Sequence, residues 1–81
     1  MTIRVQFFSQ LKDVVRASEL EMKLAEGTTA GQLLSELCDQ YPRLRAWDRR
    51  LLFGAGVEFV DRDYVIKPGD EIAIMPPVQG G

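Results

Sequence analysis

Histidine is absent from the 81 residues, and cysteine occurs once, at Cys38. Those two shortages remove most of the chemistry that a small chain can run unaided. Without imidazole there is no conventional Ser-His or Cys-His nucleophile pair and no histidine metal site, and a single thiol cannot replace it. The chain is therefore expected not to catalyse a reaction alone, and to hold no metal or cofactor of its own. One cysteine also forbids an intramolecular disulfide, which points to the reducing cytoplasm. Long apolar runs are lacking as well. Polar Gln6, Ser9, Gln10, Lys12 and Asp13 interrupt the opening segment, so neither a secretory signal nor a membrane span is expected. Charge of one sign is not in excess either. Ten Lys and Arg against twelve Asp and Glu leave a net −2, too balanced to announce nucleic acid or membrane as partner.

What is present suits one small globular domain, 46% hydrophobic and 27% charged. A chain of this length buries only about 60% of its unfolded surface, so a partner surface is no surprise. In TIRVQFF, residues Ile3, Val5 and Phe7 alternate with Thr2, Arg4 and Gln6, the period of a half-buried strand, and Phe8 falls in the outward phase. A short helical or irregular turn follows, which Ser9 is placed to cap. In ELEMKL, Leu20, Met22 and Leu24 alternate with charged residues, predicting a second strand antiparallel to the first.

From Ala30 to Tyr41, the residues Leu33, Leu34, Leu37, Cys38 and Tyr41 recur at spacings of three and four, one face of a helix packed on a sheet. Thr29 and Gln32 have capping-box spacing, and Pro42 ends the helix. LRAWDRRLLFGAGVEFV reads as a connecting segment that runs into short strands around Leu51 to Phe53 and Val57 to Val60. Lys67-Pro68-Gly69-Asp70 has the order of a type II turn. Glu71 to Met75 is the last strand, with Ile72 and Ile74 inward and Ala73 and Met75 outward. One long helix crossing one mixed sheet is an α+β roll of the ubiquitin-like, β-grasp kind. This gives a domain over 1–75 and an extended tail over 76–81.

That tail reads PPVQGG. Pro76 and Pro77 cannot supply ladder N–H groups and are expected to take the chain out of the sheet. A Gly-Gly ending by itself is a weak signal, since glycine at about 7% of usage produces it by chance in roughly 0.5% of chains. After a stiff extended segment it has a chemical use. A terminal carboxylate is an anion at neutral pH and can attack the α-phosphate of ATP supplied by another protein. Sulfur then displaces AMP and leaves a thiocarboxylate or a thioester. Glycines, lacking Cβ, pass a narrow channel, and the prolines reduce the entropy lost on entry.

GDEIAIMPPVQGG, after GTTAGQLLSEL and YPRL, resembles the small subunits of molybdopterin synthase, a family of ubiquitin-like sulfur carriers, over essentially the whole chain. Gly56 stands where many members carry asparagine, and Gln79 fills a position commonly held by Ser or Thr. The resemblance implies that a ubiquitin-activating-type adenylyltransferase, using ATP and Mg, activates Gly81. A sulfur donor protein then supplies the thiocarboxylate sulfur. The tail of Pro76, Pro77, Val78, Gln79 and Gly80 would thread into the large subunit, where the sulfur helps build the dithiolene of molybdopterin from a cyclic pyranopterin monophosphate. It further implies that Phe8, Phe59 and Met75 belong to an apolar surface docking that subunit and the activating enzyme. A carrier for thiamin or tRNA thiolation, or a ubiquitin-like modifier of lysines, would share the fold.

The other candidates have plainer readings. Cys38, beside Leu34 and Leu37, reads as core. Arg43, Arg45, Arg49 and Arg50 around Trp47 read as a solvated or partner-facing basic segment rather than an RNA stripe, with only one ring interleaved. Asp61, Asp63, Asp70 and Glu71 straddle turns and lack a calcium-loop pattern.

Overall fold

The alternating residues of the first strand set the centre of the molecule. The computed structural model describes residues 1–77, the side chain of Asp48 excepted. Strand β1, Thr2–Phe7, turns Ile3, Val5 and Phe7 into the core, all essentially without solvent contact. It pairs antiparallel with β2, Glu19–Lys23, and parallel with β5, Glu71–Met75. Strands β3, Leu52–Ala55, and β4, Glu58–Val60, complete a mixed sheet in the order β2-β1-β5-β3-β4. The N-terminal ammonium donates to the Leu24 carbonyl at 2.8 Å and ties down the start of the chain.

Between β1 and β2 lies one short helix, α1, Leu11–Val15, anchored by buried Leu11 and Val15. Ser9 does not cap it. The N-cap is Gln10, which makes no side-chain cap bond, and Ser9 sits at φ +57, the left-handed geometry of a tight reversal out of β1.

Helix α2, Ala30–Gln40, starts as expected. Thr29 Oγ1 accepts from the Gln32 N–H at 3.2 Å, and Gln32 Oε1 accepts from the Thr29 N–H at 2.9 Å. Its first turn is also held by loop carbonyls, with Ala30 N–H donating to Tyr64 O and Gly31 N–H to Arg62 O. A Cβ at Gly31 would stand 3.3 Å from Arg62 Cβ and O, so a larger residue would push the loop back by a few tenths of an ångström. Leu33, Leu34, Leu37 and Cys38 are buried against the sheet's inner face.

The expected connecting segment is an element. Pro42–Arg50 forms a 3-10 helix, long for its type, with Leu44 fully buried and Trp47 half-buried. β3 therefore starts at Leu52 rather than Leu51. Val57 falls in the turn rather than in β4, because Ala55 pairs with Glu58 and Gly56 takes φ +62. At the other end Gly69 has φ +87 and Asp70 N–H donates to Lys67 O at 3.0 Å, as a type II turn requires. Asp70 does more: its Oδ2 accepts from Tyr64 O–H at 2.6 Å and from Lys67 N–H at 2.8 Å.

Candidate functional site

With the inner face covered by α2, the outer face of the sheet carries what remains. The registers place Gln6, Ala73, Gly54 and Phe59 in one row across β1, β5, β3 and β4, and put Met75 beside Leu52 one step along. The middle of the row has almost no side chain. A Cβ added at Gly54 would stand 3.4 Å from Met75 Cε and 3.6 Å from Ala73 Cβ. A hollow of about 240 Å³ results, framed by Phe8, Phe59, Val57 and Met75 with Gly54 and Ala73 beneath. Phe59 is 70% exposed and Phe8 44%, while Met75 is half-buried because it lies over Gly54. Phe8 is fixed by its own N–H, which donates to Ile74 O at 3.2 Å one residue past the end of β1.

The structure thus brings Phe8, Phe59 and Met75 around one depression. Gly54, Ala73 and Val57 complete it, and sequence reasoning did not single them out as site residues. A glycine inside a strand was the available signal, since it marks a place where something else approaches closely. β5 ends at Met75, and Pro76 and Pro77 lie outside any strand. Val78, Gln79, Gly80 and Gly81, expected to thread into a partner and to react, lie outside the described residues.

The lining of this face is mostly apolar. Among the described residues Glu58 is the single ionisable side chain lining the hollow, and the thiol of Cys38 is buried in the core on the other side. Asp61 and Asp70 do turn work: Asp61 Oδ1 accepts from Asp63 N–H at 3.0 Å. The hydrogen bond from Tyr64, reinforced by that from Lys67 N–H, holds the Asp70 carboxyl below its ordinary range, and the same bond with burial pushes the Tyr64 phenol up. No helix is long and apolar enough among the described residues to cross a membrane.

A mixed five-stranded sheet crossed by one main helix, with the last strand running to the tail, is the ubiquitin-like β-grasp class. Within it the chain belongs to the ThiS family, whose model matches residues 5–81. It is 31% identical over 84 residues, all of both chains, to the molybdopterin synthase sulfur carrier subunit of Chlamydomonas reinhardtii. It is 33% identical over 81 residues to the subunit of that name in Escherichia coli, covering 98% of this chain and 99% of the other. Among solved structures it resembles small archaeal modifier protein 1 of H. volcanii, with TM-score 0.81, 21% identity and 95% and 98% coverage. It likewise resembles a chain in the complex of subunits 1 and 2 of molybdopterin-converting factor from Helicobacter pylori, with TM-score 0.71, 23% identity and full coverage of both.

Proposed function

We propose that this chain is the sulfur-carrying small subunit of a molybdopterin synthase. The observation that carries the reading is the continuity between an apolar hollow on the sheet and the strand that leads from it into PPVQGG. Relatives matched along their whole length bear that subunit's name, which supports the reading. The likeness to a chain solved together with a second subunit supports a large-subunit partner.

In the proposed sequence the Gly81 carboxylate attacks the α-phosphate of ATP, held with Mg by a ubiquitin-activating-type adenylyltransferase, and pyrophosphate leaves. The terminal sulfur of a donor protein's persulfide adds to the acyl-adenylate and expels AMP, and a thiol then cleaves the resulting acyl disulfide, releasing the thiocarboxylate and leaving a disulfide on the donor side. The body, residues 1–75, docks through Phe8, Phe59 and Met75, while residues 76–81 carry the sulfur into the large subunit. The chain itself holds no cofactor and works in the cytoplasm, where Cys38 stays reduced.

Intact-mass spectrometry after incubation with the activating enzyme, ATP·Mg and a sulfur source tests this. The expected result is replacement of one oxygen by sulfur on the C-terminal fragment. An unchanged mass, with Gly81 joined to lysines of other proteins, would establish a modifier instead.

A further inference from the structure

The basic 3-10 segment has no role in the sulfur-carrier reading. Four of the chain's seven arginines fall within Pro42–Arg50 against one aspartate, leaving six cations against eleven carboxylates elsewhere. The sheet register says where that charge sits. Leu52 pairs with Met75 in antiparallel fashion, so Arg49 and Arg50 enter β3 at the end of the sheet where Pro76 and Pro77 leave β5. Arg45 is committed to Asp39 at 2.7 Å. Arg50 is held in place, donating to Ala46 O at 3.1 Å with its guanidinium 5.3 Å from the Trp47 ring centroid. Arg49 is exposed and has no ion-pair partner among the described residues.

Distance decides what these two cations can act on. Four residues beyond Pro77, extended in a channel, place the terminal carboxylate up to roughly 13–14 Å farther on. Screening at physiological salt acts over about 8 Å. With the tail at that full extension the arginines stand well behind the reacting carbon, at the mouth of the channel. Nucleic acid fits poorly. Trp47 is half-buried with Arg50 over one face, which limits it as a stacking platform, and the rest of the chain is net acidic. We propose that Arg49 and Arg50 form a cationic collar at the root of the tail that docks on carboxylates rimming the partner's tail-receiving channel.

This rests on the reading that the tail enters a partner, so the test begins with wild type. Stopped-flow association with the large subunit of molybdopterin synthase from the same organism is followed from 50 to 500 mM NaCl, on the order of the range over which exposed charges become screened. At low salt, Arg49→Glu/Arg50→Glu should associate about tenfold more slowly than wild type, and added salt should speed its association where it slows that of wild type. Arg50→Lys, which keeps the charge, should stay near wild type, and sulfur transferred per bound carrier should be unchanged. Arg49→Glu alone, at an exposed site, keeps the test open if the double variant melts early. Equal association rates for wild type and the charge reversals overturn the collar. Normal association with lost transfer assigns the arginines to chemistry and overturns it too. Wild-type binding to a single-stranded oligonucleotide, erased by the reversal, makes the segment a nucleic-acid contact instead. Failure of wild type to bind the large subunit sinks the sulfur-carrier reading, and the collar with it.

Discussion

Met75 lies over Gly54: a Cβ at the glycine would meet Met75 Cε at 3.4 Å, so the last strand's outward methionine is half-buried by a missing side chain in the neighbouring strand. This pair leaves a hollow in the sheet face, the docking site of the proposed function. Gly54→Leu should fill the hollow while the flexible methionine swings aside. Isothermal titration with the large subunit should show at least tenfold weaker binding, about 1.4 kcal/mol. Thermal melting should show a fold that survives. Unchanged affinity would remove the hollow from the interface.

Phe59 tests the rim of the same feature. At 70% exposure its truncation removes little from the core. Phe59→Ala should change stability by no more than about 0.5 kcal/mol yet cost about 1 to 2 kcal/mol of partner binding. A melting transition that collapses, with affinity for the folded fraction intact, would mean that the ring supports the sheet rather than a partner.

Local signals in the sequence carried most of the fold, and the failures have physical causes. Period-two runs such as TIRVQF and EIAIM, the Thr29–Gln32 box and the Pro68–Gly69 turn are decided by neighbours in the chain, and the structure has them where expected. The 3-10 segment was missed although Leu44, Trp47 and Leu51 recur at helical spacing, because arginines dominate the stretch. Ser9 was misjudged because leaving β1 demanded a positive φ, which moved the helix start to Gln10. The hollow was illegible for another reason. Gly54, Ala73 and Phe59 become neighbours only through the β5-β3-β4 register, which no local pattern contains.

The capping box gives a clean stability measurement. Thr29→Ala removes the acceptor for Gln32 N–H at a half-buried site and leaves the backbone partners of Thr29, the Gln32 Oε1 bond and the bridge to Val65, in place. The expected loss is about 1 kcal/mol, or roughly 4 to 8 °C in melting temperature for a domain of this size. A loss near zero would show that the loop carbonyls on Ala30 and Gly31 suffice to hold the helix start.

Asp70 makes the fold acid-sensitive with a definite sign. Its folded pKa lies below the ordinary 3.8, so the stability it contributes is present above that value and fades as pH falls through it toward the folded one. Tyr64 is shifted up from 10.0, so its share is present at neutral pH and lost in strong alkali as pH rises through the folded value. Wild type should therefore lose melting temperature between pH 5 and pH 3 more steeply than Tyr64→Phe, which lacks the largest cause of the Asp70 shift. Parallel pH profiles for the two proteins would show that the 2.6 Å bond carries no differential protonation energy.

Deleting Gly81 should separate chemistry from docking. In the proposed function the body binds through the hollow on the sheet and the reaction takes place beyond Pro77, so the two lie on different parts of the molecule. Removing one residue shortens the reach by about 3.3 to 3.6 Å. Reacting atoms must come within about 3 to 3.5 Å, so a retreat of that size is enough to halt transfer even if Gly80 were activated in its place. Reconstitution with precursor, large subunit and pre-thiocarboxylated carrier, alongside a binding titration, should therefore show near-normal affinity and no dithiolene product. Product at the wild-type rate from the shortened chain would mean that Gly81 is not the sulfur donor. Loss of affinity in step with loss of product would mean that the tail, rather than the sheet face, is what the partner holds.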